Sequence, residues 1–540
     1  MAERPETAEP DSAKESAPSS RAVRRQMRDY VRTHEQRRRQ LPRALLVGVL
    51  AGLVAVGFQW SLEGASHLRD WVIERSHEMG WPGIFLVMAF SAVGVSLALL
   101  MVRRIEPDAS GSGIPHVKAV LYHLRAFQWT RVLPVKFVGG VSGIGAGLAL
   151  GREGPTIQMG AAIGQMVSRW FPCTPRERQT LIAAGSGAGL SAAFNAPLAG
   201  LVFVLEEVQK DFAPAVFTVT LIASVTADVT ARSLYGHLPV FHVGSYPIPS
   251  LASLPLFFLL GTLAGLIGVV FNRALVASLE LFARIKEWPF WATGGLMGIL
   301  LALVGWFWPG TLAGGHRLVE ATLAGELALP MLTGFFLLRF ALTMLSYGTG
   351  VPGGIFAPML VLGAALGMIT GDLAAAGFPD AVSHAKPFAV VGMAAVFAAV
   401  VRAPLTAIVL MVEMTGDYSL VLPLLVAVLT AGGLADYLND KPIYEVLLRR
   451  DLKRWQEKPE LSETLLLELT IAPGAEFEGK KVRELGLPPG CILITVQRGV
   501  VAEVPTAEFV LAAGDRVTVV VAPQAAEAVP LLHKGVEAEV

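Results

Sequence analysis

Charged residues are scarce in this chain, and their scarcity limits what the protein can be. Of the 540 residues, 16% are charged and 53% are hydrophobic, and the mean hydropathy is +0.55. Such a composition is too apolar for a soluble protein and indicates a membrane protein. The first forty residues are polar and lack the apolar segment that a cleavable signal peptide requires. We expect no nucleic-acid partner.

Catalytic and metal-binding motifs are also missing. The two cysteines, Cys173 and Cys491, lie far apart, so we predict neither a disulfide nor a metal site. The sequence has no HExxH metal motif, no GxSxG nucleophile motif and no GxxxxGK(S/T) phosphate loop, and its ten histidines do not cluster. We therefore expect no enzymatic activity, no nucleotide-driven motor and no cofactor. A membrane-embedded hydrolase that uses Glu153 with Glu206 or Glu207 as acid and base is the weaker alternative.

Apolar segments dominate residues 41–455, the predicted transmembrane domain. Some are long enough to cross about 30 Å of hydrocarbon; these are residues 43–62, 82–103, 214–228, 251–272, 291–308, 330–346 and 418–435. Others are too short to cross alone, namely 156–168, 197–206 and 357–370.

Basic residues flank this domain on both sides. Residues 21–40 contain eight arginines, and more basic residues follow the last span. By the positive-inside rule both termini are predicted to be cytoplasmic, which requires an even number of crossings. Residues 1–40 are predicted to be a basic, partly disordered N-terminal segment.

Two distant parts of the apolar region repeat one another. Two pairs of stretches align without a gap: residues 185–206 on 392–413, and residues 151–164 on 354–367. In the first pair Ala-Pro-Leu recurs, and Glu206 aligns with Glu413. A duplicated membrane domain with helices broken in corresponding places is typical of transporters with a site near the bilayer midplane. The sequence therefore predicts a transporter or channel with two related halves, about residues 41–235 and 250–440.

Glycine and proline interrupt the apolar region at three places. These are Gly111-Ser112-Gly113-Ile114-Pro115, Gly151-Arg152-Glu153-Gly154-Pro155 and Gly353-Gly354-Ile355-Phe356-Ala357-Pro358. In each, glycine comes first, proline follows and an apolar helix begins, which predicts a helix N-terminus open to a ligand. Its free N–H groups and the positive end of the helix dipole suit an anion. Three such ends that converge would bind an anion without a buried full positive charge.

These motifs resemble the CLC family of chloride channels and chloride–proton exchangers. Four motifs occur in the family's order: GSGIP at 111–115, GREGP at 151–155, GIFAP at 354–358 and a tyrosine at 444. The resemblance covers about residues 40–450 and implies an all-α polytopic membrane protein built as an inverted repeat of tilted and broken helices. It also implies a homodimer in which each subunit has its own pore.

The resemblance assigns the chloride-binding residues. It makes the side chains of Ser112 and Tyr444 hydroxyl donors to a central chloride. Backbone N–H groups complete two sites: those of Ile355 and Phe356 at the central one, and those of Arg152, Glu153, Phe356 and Ala357 at an external one. Hydroxyls and amides can replace the hydration of a halide without holding it too tightly for release. Ser112 also implies a preference for chloride, because relatives that prefer nitrate tend to have proline there.

Two acidic residues provide the predicted gate and proton path. Glu153 lies at a helix start inside the membrane, where a purely structural carboxylate would be costly. In the family this glutamate is the external gate, which occupies an anion site and leaves it when protonated or displaced. Exchangers relay protons from the cytoplasm through an acid at the position of Glu207, and channels commonly lack it. Glu206, by contrast, has Glu413 as its repeat partner, which is consistent with a structural role at a helix end.

Residues after the first motif depart from the bacterial pattern of the family. Many bacterial relatives are acidic there, whereas this chain has His116 and Lys118. The two side chains could add positive potential at the inner pore mouth. A surface or packing role is the alternative.

The composition changes near residue 455, where the charge rises and strand patterns appear. Three strands are predicted, at residues 465–471, 491–497 and 516–521, and a short helix is predicted at 479–485. Pro523 is placed to open a closing helix over 524–529, which Pro530 would end or kink. Several short segments resemble the C-terminal subdomain of TrkA/RCK-type transport regulators. They are residues 473–475, 479–480, 482–485 and 511–516, together with Gly490. The sequence therefore predicts a small α/β cytoplasmic domain over 463–535. Such subdomains dimerise, and some bind small molecules or nucleotides; a dimer-stabilising cap and a regulatory ligand site both remain open.

The predicted function is chloride transport by a secondary-active Cl−/H+ antiporter with a glutamate gate. A passive, gated chloride channel on the same scaffold is the alternative. The partners are then chloride, protons, the lipid bilayer and a second copy of the chain. The expected location is a prokaryotic inner membrane.

Overall fold

The computed structural model describes residues 20–210, 212–236, 250–285, 287–454, 465–499 and 501–536. Residues 1–19 of the predicted N-terminal segment lie outside the described residues. The membrane region consists of α1 Ser20–Glu78, α2 Ile84–Arg104, α3 Ile114–Leu121, α4 Trp129–Gly145, α5 Glu153–Trp170, α6 Pro175–Phe194, α7 Pro197–Phe203, α8 Pro214–Tyr235, α9 Leu254–Arg284, α10 Phe290–Phe307, α11 His316–Ala324, α12 Leu329–Gly348, α13 Phe356–Gly377, α14 Lys386–Val401, α15 Pro404–Thr415, α16 Val421–Tyr437 and α17 Ile443–Arg454.

Seven helical segments of the described chain are long and apolar enough to cross a membrane. They are Arg39–Glu78, Trp81–Arg104, Pro214–Tyr235, Leu251–Arg284, Phe290–Phe307, Leu329–Gly348 and Phe356–Gly377. Five of them contain a predicted span, and Phe290–Phe307 contains all but the last residue of the predicted 291–308, so these six predictions are confirmed.

Two predictions about span length are wrong. Residues 418–435 were expected to cross, but α16 begins only at Val421 and has 17 residues, because a turn follows Gly416. Residues 357–370 were expected to be too short, but α13 has 22 residues. The apolar run of α13 continues to Gly377 and is interrupted by a single charged residue, Asp372.

Glycine allows the closest helix pairs to approach within backbone contact. A Cβ atom on Gly160 of α5 would lie 2.1 Å from the carbonyl oxygen of Gly185 on α6. A Cβ atom on Gly363 of α13 would lie 2.5 Å from the carbonyl oxygen of Gly392 on α14. These four glycines are aligned pairs of the sequence repeat. In lipid the hydrophobic effect does not drive helices together, and small residues at such positions let the helices pack closely instead.

The two Ala-Pro-Leu segments begin α7 and α15, and a carboxylate from each half caps the helix of the other. Glu206 accepts hydrogen bonds from the N–H groups of Leu405 and Thr406 at 3.0 and 2.7 Å. Glu413 accepts from the first turn of α7 at the same two distances. Each carboxylate satisfies N–H groups that a helix start leaves without partners. Glu206 therefore has the structural contact that its position in the repeat favoured.

The C-terminal domain is a four-stranded antiparallel sheet with one α-helix. The strands are β1 Leu465–Thr470, β2 Cys491–Arg498, β3 Val501–Glu503 and β4 Arg516–Val521, in the order β1-β4-β2-β3, and the helix is α18 Ala528–Val536. Val529 and Leu532 of α18 are buried in one core with Val519 of β4. Arg176 of the membrane region forms an ion pair with Glu468 of β1 at 2.9 Å.

Three predicted strands are confirmed in this domain, and the two predicted helices are confirmed in part. Pro523 opens a 3-10 helix, Pro523–Ala525, and an α-helix follows it. Residues 479–485 contain only a 3-10 turn at Val482–Glu484. The closing helix starts later than expected, at Ala528, and passes through Pro530. Proline is tolerated there because it lies in the first helical turn, where the missing N–H group would have no intrahelical partner.

Gly160→Ala tests the close packing of α5 on α6. The added methyl would meet the backbone of Gly185, which cannot rotate away, so we expect a loss of about 1–3 kcal/mol of stability. The midpoint of thermal unfolding, followed by size-exclusion chromatography of the purified protein, measures the effect. Gly295→Ala in α10 is the matched control, because a Cβ atom there meets no atom within 4 Å. Equal midpoints for the two variants would contradict the packing argument.

Candidate functional site

The three glycine–proline loops meet and are hydrogen bonded to one another. Gly151 and Gly354 form an antiparallel bridge with N···O distances of 2.7 Å in both directions. The N–H group of Gly353 donates to the carbonyl of Gly111 at 2.9 Å. The loops precede α3, α5 and α13, so the N-termini of these three helices are brought together.

Two further glycines allow the loops to approach each other. A Cβ atom on Gly154 would lie 2.9 Å from the carbonyl oxygen of Ser112, so the start of α5 lies directly against the first loop. Gly113 has a φ of +80°, and a Cβ atom on it would lie 2.1 Å from Oε1 of Gln158. A side chain at either position would push the helix starts apart.

The two predicted hydroxyl ligands are buried and unpaired. Ser112 is 1% exposed and Tyr444 is fully buried. Neither Oγ of Ser112 nor the hydroxyl oxygen of Tyr444 has a hydrogen-bond partner among the described residues. A buried hydroxyl without a partner is unfavourable unless a ligand satisfies it. Ile355 and Phe356, whose N–H groups were predicted to complete this site, are also fully buried at the start of α13.

The carboxylate of Glu153 contacts one of the N–H groups that were predicted to bind the external anion, that of Ala357. The Glu153 side chain is 3% exposed, and Oε2 accepts a hydrogen bond from the N–H group of Ala357 at 3.3 Å. A Cβ atom on Gly151 would lie 2.2 Å from the same oxygen, so the carboxylate rests against bare backbone. The guanidinium group of Arg152 donates to the carbonyl of Ala193 at 3.0 Å, which ties this loop to the end of α6.

Glu207 forms a buried ion pair with Lys118. It lies in a π-helical turn, Val204–Val208, that continues α7. Its Oε1 is 2.6 Å from Nζ of Lys118, and both residues are 1% exposed. The alternative of a surface role for Lys118 is therefore wrong.

His116 is buried as well, which excludes a surface role for it. The side chain is 3% exposed, its Nδ1 lies 2.9 Å from Nε2 of Gln158, and its Nε2 lies 3.3 Å from Asp108. His116 therefore joins the first loop to α5.

Lys136 is a buried residue next to this site that was not predicted from the sequence. It is fully buried in α4, and its Nζ donates to the carbonyls of Ala109 and Gly111 at 3.0 and 2.6 Å. This ammonium group holds the loop that presents Ser112. Because it binds backbone carbonyls, the prediction that the anion is bound without a buried full positive charge stays a prediction. A lysine within an apolar segment is the signal that could have revealed this residue.

The repeat could also have revealed Lys136. Extending the alignment of 151–164 on 354–367 towards the N-terminus places Lys136 on Arg339. Arg339 is 1% exposed and donates to the carbonyls of Thr311 and Ala313 at 2.7 and 2.8 Å. Each half of the membrane region thus has a buried cation bound to the backbone of a loop.

Broken helices that meet around buried, unpaired hydroxyls and a carboxylate define a membrane protein that transports anions. Comparisons with known proteins agree with this class of protein. Residues 94–436 match the voltage gated chloride channel family, and residues 466–530 match the TrkA-C domain. The chain belongs to the voltage gated chloride channel, or CLC, family and carries a TrkA-C domain at its C-terminal end.

Among its relatives are the H(+)/Cl(-) exchange transporters ClcA of Citrobacter koseri and Salmonella typhimurium. Each is 40% identical over 426 residues, which cover 76% of this chain and 88% of the relative. The crystal structure of a slow cyanobacterial Cl-/H+ antiporter is similar with a TM-score of 0.74 at 36% identity, over 78% of this chain and 99% of that one. A eukaryotic CLC transporter shares the fold, with a TM-score of 0.64 at 24% identity over 76% and 74% of the two chains.

Lys118→Met tests the buried ion pair. The change removes the ammonium group but keeps a side chain of similar length, so Glu207 is left buried without its partner. Breaking a buried pair in this way costs about 3–5 kcal/mol, and the double variant Lys118→Met/Glu207→Gln should recover most of that loss. Thermal unfolding of the purified protein measures both effects.

Arg75→Met is the control for this cycle. Arg75 pairs with Glu78, but both side chains are exposed, so we expect a loss below about 1 kcal/mol. If Lys118→Met were no more harmful than Arg75→Met, or if the double variant were the least stable, the two buried charges would not act as a pair.

Proposed function

We propose that this chain is a secondary-active Cl−/H+ antiporter whose gate is Glu153. The observation that carries the proposal is the position of one titratable carboxylate at the meeting point of three helix N-termini, beside two unpaired hydroxyls. The relatives named as H(+)/Cl(-) exchange transporters, and the similar cyanobacterial antiporter, support exchange over a passive channel. They also support a role in transport rather than in enzymatic catalysis.

Chloride in the central site is bound by groups that carry no full charge. The hydroxyls of Ser112 and Tyr444 donate to it, and the N–H groups of Ile355 and Phe356 complete its shell. The helix dipoles of α3, α5 and α13 favour the negative charge there. Such ligands are strong enough to dehydrate a halide and weak enough to release it.

Glu153 competes with chloride for the external site. As an anion it accepts from the N–H group of Ala357, one of the groups that would bind chloride there together with the amides of Arg152, Glu153 and Phe356. A chloride that arrives from outside displaces the carboxylate, which can then take up a proton. The protonated side chain is neutral and no longer competes, so chloride and proton affect each other's occupancy.

Glu207 provides the inner end of the proton path. In this proposal the chloride site of Ser112 and Tyr444 lies between Glu153 and Glu207. Lys118 contacts only Oε1 of this carboxylate, so Oε2 is open to a proton that arrives from the cytoplasm. Proton uptake by Glu207 removes its negative charge and weakens the ion pair with Lys118.

The proposal includes a homodimer in a prokaryotic inner membrane, with each subunit containing a complete pore. Resemblance to the family supports the dimer, and the eight arginines of residues 21–40 support cytoplasmic termini. The TrkA-C domain, in this proposal, regulates transport by binding a small molecule or nucleotide. The transmembrane domain spans residues 41–455 and the regulatory domain 463–535.

Chloride and proton fluxes measured together in liposomes under a pH gradient test the function. An antiporter uses the proton gradient to drive chloride against its own gradient, and the reversal potential shifts with pH. A passive channel moves chloride alone, and its reversal potential does not change with pH. The second result would overturn the proposal.

Glu153→Gln tests the gate. The amide has the shape of the protonated acid but cannot release a proton, so we expect chloride flux without proton coupling. The two-ion flux assay gives the ratio directly. Glu320→Gln, which removes another acid on the same side of the protein, should leave the ratio of chloride to protons unchanged. Acid-driven chloride uptake by Glu153→Gln would refute the assignment.

Ser112→Pro tests anion selectivity at the central site. Proline removes the hydroxyl donor, and the loss of a hydrogen bond to an ion costs about 1.5–3 kcal/mol, or tenfold or more in affinity. We expect the permeability to nitrate to rise relative to chloride in anion-exchange assays. Ser110→Ala is the control, since the Ser110 hydroxyl donates to the carbonyl of Gly350. An unchanged nitrate-to-chloride ratio in Ser112→Pro would show that Ser112 does not set selectivity.

A further inference from the structure

The second half of the membrane region contains a counterpart of the loop that presents Ser112. The loop before α3 is held by Lys136, and the loop before α11 is held by the aligned Arg339. In each loop the bound carbonyls are two residues apart, and the helix begins after a glycine with a φ of +80°, Gly113 in the first half and Gly315 in the second. The start of α11 is therefore the structural equivalent of the start of α3.

This second loop borders a cavity on the outer side of the gate. The cavity has a volume of about 520 Å³, and Gly314 and Gly315 line it together with Arg152, Glu153 and Ala357 of the external site. Where the first half presents the Ser112 hydroxyl, the second half has Gly314 and bare backbone. The loop before α3 therefore contributes to the central site, and the loop before α11 opens towards the gate from outside.

Arg69 provides this cavity with an unpaired donor. It lines the cavity from α1 and is only 5% exposed. Its Nε and Nη2 donate to Asp70 at 3.1 and 2.8 Å, while Nη1 has no hydrogen-bond partner among the residues that the structure describes. Arg317, in the first turn of α11, donates to the other oxygen of Asp70 at 2.9 Å. Two cations thus share one carboxylate, which leaves a net positive charge.

We propose that this cavity contains an additional halide-binding site, between Nη1 of Arg69 and the start of α11. The inference rests on the proposed function, because the site would supply chloride to the position that Glu153 occupies. The remaining acids of the cavity, Glu63 and Glu320, make the site weak, as a site on an access path must be if the ion is to move on.

Protonation of the gate strengthens this site. Three arginines line the cavity, Arg69, Arg152 and Arg317, and three glutamates line it, Glu63, Glu153 and Glu320. Asp70, which binds Arg69 and Arg317, is a fourth carboxylate at this cavity. When Glu153 takes up a proton, three cations and three anions remain, and one negative charge that repels a halide is removed. The same event clears the external site, so arrival of chloride and opening of the gate favour each other.

Bromide in place of chloride locates the site directly. In crystals of the wild-type protein grown with bromide, we expect anomalous scattering beside Arg69 as well as at the Ser112–Tyr444 site. In Arg69→Gln the outer peak should vanish and the central peak remain. Bromide at the central site alone in the wild-type protein would overturn the proposal.

Flux assays show whether the site is used in transport. Arg69→Gln should raise the KM for external chloride about five- to tenfold, with the maximal rate and the chloride-to-proton ratio unchanged. Arg317→Gln, whose side chain is 67% exposed and can be removed without disturbing the core, should raise KM in the same direction. Arg75→Gln is the matched control: Arg75 lies on the same helix and pairs with Glu78 outside the cavity, so its KM should equal that of the wild-type protein.

The two readouts separate this inference from the proposed function. An outer bromide peak with an unchanged KM in both arginine variants would mean binding at crystal concentration only, and would overturn the proposal. An outer peak that Arg69→Gln abolishes, in a protein that moves no protons, would support the site and refute antiport.

Discussion

The lack of hydrogen-bond partners in lipid is the constraint on which this structure depends. A helix that stops inside the membrane leaves backbone groups that only protein or a ligand can satisfy. Here the broken ends satisfy one another, through the mutual bonds of Gly151 and Gly354 and the bond from Gly353 to Gly111. The N–H groups that point inward from these joined loops remain available to an anion. The binding site is thus a consequence of how the breaks are held together.

At the joined loops, buried charge is used to hold this arrangement, and not to hold the anion proposed for the central site. Lys136 and Arg339 bind backbone carbonyls, and Glu206 and Glu413 bind backbone N–H groups. Lys136 aligns with Arg339, and Glu206 aligns with Glu413. The two halves of the membrane region are therefore held by the same kinds of contact. In the proposed central site the anion meets dipoles and hydroxyls, which release it more readily than a buried cation would. In the proposed mechanism Glu153 differs from the structural charges because it occupies a site that chloride needs.

Much of the site could be predicted from the sequence because its parts are local. A glycine, then a proline, then an apolar run identifies a helix start, and the gapless repeat shows that the starts are related. The pairing of Lys118 with Glu207 could not be predicted, since 89 positions separate the two residues and only the packed fold brings them together. The length of α13 and the position of Pro530 in α18 were misread for a different reason. In both cases proline or glycine was taken as the end of a segment, although the backbone continued through it.

The TrkA-C domain is attached where it could influence transport. Leu124, in the segment that follows α3, packs against the core of this domain, and Arg176 pairs with Glu468 of its first strand. α3 begins at the Ser112 loop and carries Lys118, the partner of Glu207. The C-terminal domain is thus one short helix away from both Ser112 and the Lys118–Glu207 ion pair.

The competition between chloride and the Glu153 carboxylate is measured most directly by the proton uptake that accompanies chloride binding. Calorimetric titration of the purified protein with chloride, in buffers of different ionisation enthalpy, gives the number of protons taken up per chloride bound. If the carboxylate of Glu153 and chloride compete for one set of N–H groups, each binding event displaces an acid that then takes up a proton, and linkage requires that affinity for chloride increases as pH falls. We expect net proton uptake that disappears when Glu153 cannot ionise. Chloride binding with no proton uptake and no dependence on pH would contradict the account.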